Sequence, residues 1–176
     1  MIVLAGASAS GKTEVAKCLA KKYGITKIIT TTTRDKRDGE VDKRDYFFVS
    51  KERFEEKIKN GDFVEYTIFN GHYYGSTKDQ IGNNKVVVID PAGLRSYIAL
   101  NDPNIVTFFL DADEDIRRER MISRGDHPDK IESRIAHDRI AFKKENIAPC
   151  DYVIDSSSLH SVEQVADEIY RLYTSR

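Results

Sequence analysis

Short apolar runs and longer amphipathic stretches alternate along the chain. Ile2–Ala5, Lys85–Ile89, Ile105–Leu110 and Tyr152–Ile154 are dense in apolar and β-branched residues, the texture of strands buried on both faces. Lys27–Thr31 predicts a fifth strand. Between and after these runs the spacing becomes helical. Gly11–Tyr23 places Val15, Leu19 and Ala20 on one face, and Ile131–Asn146 aligns Ile131, Ile135 and Phe142. Asp113–Ile122 opens on acids and gathers arginines later, the order that a helix dipole favours. Near the end of the chain, Ser161 and Gln164 form a capping box ahead of Val165, Ile169 and Tyr173. Strands alternating with helices predict an α/β protein built on a parallel sheet covered on both faces.

The texture changes between residues 32 and 76. Aromatic and charged residues mix there with glycine and short strand-like pieces such as Tyr46–Val49 and Phe63–Tyr66. This predicts an inserted segment with its own small mixed sheet, able to move as a flap over a site on the main sheet. Residues 1–31 and 77–176 then make the core domain, and 32–76 the insertion.

Composition narrows the classes. At 176 residues and 40% hydrophobic, the chain suits one compact domain with a buried core. A net charge of −1 supplies no global field for nucleic acid or anionic lipid, so neither is an expected partner. Cys18 and Cys150 are too few and too far apart for a disulfide framework or a structural zinc site. No apolar run is long enough to span a membrane, and no signal peptide is evident. The expected compartment is the cytoplasm.

The most specific chemistry lies at Gly6-Ala7-Ser8-Ala9-Ser10-Gly11-Lys12-Thr13. This Gly-x4-Gly-Lys-Thr pattern follows a predicted strand and opens a predicted helix, the context that turns it into a phosphate loop. Its backbone N–H groups and the helix N-terminus suit a phosphate chain. Ala7, Ser8, Ala9, Ser10, Gly11, Lys12 and Thr13 are therefore candidate ATP contacts. Lys12 can reach the β- and γ-phosphates, and the Thr13 hydroxyl can ligate Mg²⁺. The loop alone leaves kinases, GTPases and mechanical ATPases open.

The inserted segment adds the acceptor chemistry. Thr30-Thr31-Thr32-Thr33-Arg34-Asp35-Lys36-Arg37-Asp38-Gly39-Glu40-Val41-Asp42 resembles the start of the GMP-binding region of guanylate kinases. So do Asp45–Ser50, Gly61–Glu65 and Gly71–Ser76 in turn. With the phosphate loop and a later arginine pair, the resemblance covers most of the chain. It implies a P-loop NTPase-type three-layer α/β fold with an inserted monophosphate-binding segment and a helical lid at about 124–135. It also implies ATP and GMP as small-molecule substrates and Mg²⁺ as cofactor.

The residue types agree with that chemistry. A doubly charged phosphate calls for guanidinium forks and hydroxyls, here Arg34, Arg37, Tyr46 and Tyr74. Guanine offers two adjacent donors beside an acceptor, which a carboxylate and a hydroxyl can match. Glu65 and Ser76 stand at the family's guanine-binding positions. Thr30, where the family usually has Ser, adds a hydroxyl. Adenine lacks one of those donors and would leave the carboxylate unpaired. Taken singly, Glu65 could be a solvent-facing charge, Arg34 and Arg37 an exposed turn, and Tyr73-Tyr74 core; their joint order carries the reading.

Asp90 ends an apolar strand, where it could hold Mg²⁺ through water, accept from the guanine amino group, or cap the helix that Pro91 opens. Downstream the chain is rich in arginine. By position in the family, Arg124 before Gly125 and Arg134 on the next helix are lid residues that close on the transferring phosphoryl group. Arg37 joins them and Lys12 as a catalytic candidate. Arg120 could face the ATP phosphates, whereas Arg117 and Arg118 read as a solvated helix face with i,i+4 pairs.

The chain departs from the family pattern in places. Ala7 and Ala9 replace a usual Pro and Gly, and Lys43 a usual Gly. Val88 replaces an acid, and Asp155-Ser156 a common Asn-Asp pair. The spacing from Arg124 to Arg134 is one residue short. The expectation is a guanylate kinase acting on GMP and dGMP, as monomer or homodimer. The alternatives are a kinase for another small acceptor and a guanylate-kinase-like binding module.

Overall fold

A computed structural model describes residues 1–157 and 161–176. In chain order the elements are β1 (Ile2–Ala5), α1 (Lys12–Tyr23), β2 (Thr26–Lys27), β3 (Thr31–Thr32), β4 (Phe47–Phe48), α2 (Lys51–Lys59), β5 (Phe63–Phe69), β6 (His72–Thr77), β7 (Lys85–Val88), α3 (Pro91–Ala99), β8 (Val106–Asp111), α4 (Glu114–Ser123), α5 (Pro128–Ala141), β9 (Tyr152–Asp155) and α6 (Val162–Thr174). Five strands form one parallel sheet in the order β2-β7-β1-β8-β9.

β1 shows why the sheet needs cover on both faces. Its side chains divide by parity, as a strand's two-residue period requires. Ile2 and Leu4 join a core with Val15 and Leu19 of α1 and Val165 and Ile169 of α6. Met1, Val3 and Ala5 point into a second core with Leu94 and Tyr97 of α3. The three layers expected of a doubly covered parallel sheet follow directly. The capping box at Ser161 and Gln164 is formed, and it starts α6 where the sequence indicates.

Residues 31–77 carry a second, four-stranded sheet in the order β4-β3-β6-β5. β3 runs parallel to β4 and antiparallel to β6. Helix α2, capped by Ser50, buries Phe54 completely. The Phe54 ring stacks on Phe63 at 4.3 Å and meets Tyr73 at 5.1 Å.

Three expectations are corrected. Lys27–Thr31 is not one strand. Thr26–Lys27 pairs with β7 in the main sheet, and Thr31–Thr32 pairs with β4 and β6 in the small one; one apolar run is shared between two sheets, and backbone pairing decides where it divides. The predicted Ile131–Asn146 helix runs instead over Pro128–Ala141. Proline at its first turn fixes the start, and Asp138, not Phe142, continues the buried stripe of Ile131 and Ile135. In α1 the buried alanine is Ala16 and not Ala20.

Candidate active site

The phosphate loop leaves β1 at Gly6. A side chain there would strike the Leu110 carbonyl at 2.5 Å, and φ is +148°, so only glycine lets the chain turn at the end of the strand. Gly11, at φ +94°, redirects the backbone into α1. The Lys12 ammonium donates to Gly6 O at 2.6 Å and Ala7 O at 2.7 Å. Burial pushes its pKa down to about 8; the Asp138 charge opposes that shift, and Arg117 adds to it.

A cavity of about 470 Å³ opens beside the loop, lined by Ala9, Ser10, Gly11, Lys12, Thr13, Arg120 and Arg124 among others. Arg120 donates to Ala9 O at 3.2 Å and Ser156 O at 2.6 Å. Ala7 and Ser8 do not line this cavity; Ala7 O holds Lys12, and Ser8 is bound from behind. Ala9 has φ +60°, a left-handed conformation that a side chain disfavours.

The acceptor candidates gather between the two sheets. Glu65 and Ser76 are direct cross-strand partners in the β5–β6 register, which sets both side chains on one face. Ser76 Oγ donates to Glu65 Oε1 at 2.5 Å. Thr30, Glu65, Tyr74, Ser76 and Asp90 all line a cavity of about 210 Å³. Burial raises the Glu65 carboxyl above its ordinary range; the Ser76 bond opposes this, and the Asp90 charge adds to it. Asp90 also accepts from Gly93 N at 2.7 Å and caps α3, so its capping reading is realised alongside its place in the cavity wall.

The other monophosphate candidates form a cluster of their own. Arg34 makes a fork with Glu40, at 3.0 and 2.7 Å. Its guanidinium lies 5.3 Å from the Tyr46 ring centre, and Glu40 first, then Tyr74, favour its charged form. Arg37 is exposed, and its backbone N–H donates to the same Glu40 at 2.8 Å. Glu40 therefore orients the turn that carries both arginines, a role the sequence motif contains but does not announce.

Both arginines expected in a lid meet one carboxylate. Arg124 bonds Asp126 at 2.9 and 2.5 Å, and Arg134 bonds it at 2.7 Å. Arg124 holds the Asp126 carboxyl below its usual range. Arg134 lies outside the loop cavity's lining, whereas Arg124 is part of it. Arg118 pairs with Glu114 four residues earlier, as expected. Arg117 is the exception: it is 7% exposed and bonds Asp138 at 3.0 Å. A predicted solvated arginine is thus a buried one, because its partner comes from a different helix and no local pattern reveals it.

The family model described as guanylate kinase matches residues 1–171. The chain belongs to the guanylate kinase family. Guanylate kinases of Clostridium tetani and Helicobacter pylori are each 32% identical to it. The first match covers 94% of this chain and 82% of that protein, the second 100% and 88%. The crystal structure of guanylate kinase from Anaplasma phagocytophilum superposes with a TM-score of 0.62 at 25% identity, covering 99% of this chain and 84% of that one. In this guanylate kinase family member, one cavity lies beside the Gly6–Thr13 loop and a second is lined by Glu65 and Ser76.

Proposed function

We propose that this chain transfers the γ-phosphoryl group of ATP to the phosphate of GMP, and of dGMP, releasing ADP. The observation that carries the acceptor assignment is the Glu65–Ser76 pair, set face to face by strand register in the wall of one cavity with Thr30, Tyr74 and Asp90. A carboxylate beside a hydroxyl matches guanine's paired donors and its acceptor, and it leaves adenine with a mismatch.

In this reading Arg34, Arg37, Tyr46 and Tyr74 hold the GMP phosphate. Lys12 and the loop amides hold the donor phosphates. A phosphate oxygen of GMP attacks the γ-phosphorus in line, and the bond to the oxygen that departs with ADP breaks. The nucleophile is already anionic, so no general base is assigned and positioning supplies most of the acceleration. Arg124 and Arg134 neutralise charge on the transferring group when the lid segment closes, and closure of the insertion over the core excludes water.

The donor set suits Mg²⁺. Thr13, whose hydroxyl is the expected ligand, lines the loop cavity, and Asp90 is a further candidate through a water. No cluster of three or more His, Cys, Asp or Glu that could hold a metal occurs among the described residues. That fits an ion held mainly by hydroxyl, water and phosphate oxygens. When bound, it would neutralise the phosphate chain.

Among the described residues no helix is long and apolar enough to cross a membrane. We place the enzyme in the cytoplasm, as a monomer or homodimer acting on small nucleotides without nucleic acid or membrane partners. The test is ADP release from ATP with GMP, AMP, CMP or dTMP as acceptor. GMP is expected to be preferred at least tenfold, the scale of one unsatisfied buried hydrogen bond. Equal or faster turnover of another monophosphate would overturn the guanine assignment. Turnover unaffected by Lys12→Ala would overturn the kinase assignment and favour a binding module.

A further inference from the structure

Two of the most buried charges in the molecule lie outside the roles described so far. Asp138 on α5 is 4% exposed and Arg117 on α4 is 7% exposed. Taking such charges out of water is costly unless each is fully partnered. Both are, and the partners are informative. Asp138 Oδ2 accepts from Ser8 N at 2.8 Å and from Arg117 Nη1 at 3.0 Å. Arg117 Nη1 also reaches Ser8 O at 3.4 Å, and its Nε donates to Ala112 O at 3.1 Å. The next carbonyl, Ala9 O, is held by Arg120 from the same helix. The outer turn of the phosphate loop is therefore clasped on Ser8 N, Ser8 O and Ala9 O by side chains of α4 and α5.

The same two helices lead to the lid. Arg124 lies two turns beyond Arg117, as the cap of α4. Arg134 lies one turn before Asp138 on α5, and residues four apart share a helix face. The clasped turn is also the strained one, because Ala9 sits at φ +60°. A non-glycine residue there relaxes toward right-handed geometry unless its surroundings hold it.

We propose that Arg117 and Asp138 are positioning residues for the donor site: they clamp Ser8, the residue before Ala9, so that the loop keeps its phosphate-binding shape despite a side chain at residue 9, and they tie that shape to the two helices that carry Arg124 and Arg134. The pair touches no substrate. Its effect is transmitted through the loop, so it falls on ATP binding and leaves GMP binding alone.

The proposal rests on the kinase reading above, and the experiment separates the two. Removing one charge strands the other, so the main variant removes both, Arg117→Leu with Asp138→Ala, since paired buried charges are often replaceable by apolar groups without loss of folding. The KM for ATP is expected to rise about 10-fold, the scale of losing a charge-assisted hydrogen bond. The KM for GMP should stay within about twofold. Adding Ala9→Gly to this variant should bring the KM for ATP back to within about threefold of the parent, because glycine adopts the loop's conformation without a clamp. Should the double variant fail to fold, Asp138→Asn keeps the shape and an acceptor for Ser8 N while losing the charge; its KM for ATP should rise about threefold, with KM for GMP unchanged. The proposal is overturned if the KM for ATP stays within experimental error of the parent in the variant that folds. An equal rise in both KM values, or no recovery with Ala9→Gly, also overturns it. Absence of GMP-dependent ADP formation in the parent enzyme would instead overturn the functional reading.

Discussion

Lys12 must be cationic to meet a phosphate chain, yet burial has pushed its pKa from 10.5 to about 8. The perturbation to apply is pH. At pH 9, one unit above that value, only about one molecule in ten carries the ammonium. ATP supplies negative charge that restores the ordinary, high pKa, so binding at pH 9 draws in about 0.9 proton per site. The factor 1 + 10^(pH − pKa) rises about tenfold between pH 7 and pH 9, and the affinity for ATP falls by the same ratio, about 1.4 kcal/mol. The stability term has the opposite slope. The unfolded chain binds this proton up to about pH 10.5 and the folded chain only up to about pH 8, so the contribution of Lys12 to stability rises with pH across that window. Calorimetric titration of ATP at pH 9 in two buffers of different ionisation enthalpy reads the proton directly. The same titration on Lys12→Met corrects for the nucleotide's own titration and should show no such uptake. A Kd for ATP at pH 9 within twofold of that at pH 7, with no proton taken up, would refute the reasoning.

Glu65→Gln replaces a group that accepts both guanine donors with one that accepts a single donor; the KM for GMP should rise about 10- to 100-fold, with the KM for ATP unchanged. Because burial raises the Glu65 carboxyl, GMP affinity in the parent should fall on acidification from a pH above the ordinary carboxylate range. The same group lowers the protein's stability as pH rises from 4.5 toward its raised value, since the unfolded chain loses that proton first; a urea series across pH 4–7 on parent and Glu65→Gln measures the difference. Lys43 is exposed with φ +64°, so Lys43→Gly should relieve left-handed strain of about 1–2 kcal/mol against a loss of about 0.5–1 kcal/mol in chain entropy. The net gain should raise Tm by roughly 2 °C; a lowered Tm would show that the turn does not carry the strain.

The sequence by itself determined the parts governed by local rules. A strand, a glycine turn and a helix N-terminus are neighbours in the chain, so the phosphate loop and Lys12 were legible directly. Parity along Ile2–Ala5 required helices on both faces of the sheet. Glu65 and Ser76 were identifiable from their ordered motifs, and the hairpin between them set their register. What only the tertiary structure decided involves partners distant in the chain. Lys27–Thr31 divides between two sheets because its backbone pairs with β7 at one end and with β4 and β6 at the other. Arg117 looks like one more surface arginine until α5 delivers Asp138 to it from twenty-one residues away. Ala9 and Lys43 register in the sequence as departures from a family pattern; the structure adds that both hold positive φ. The physical reason is common to all of these. Periodicity and turn chemistry are written within a few residues, whereas the pairing of buried charges and the holding of strained backbone depend on which surfaces fold against each other.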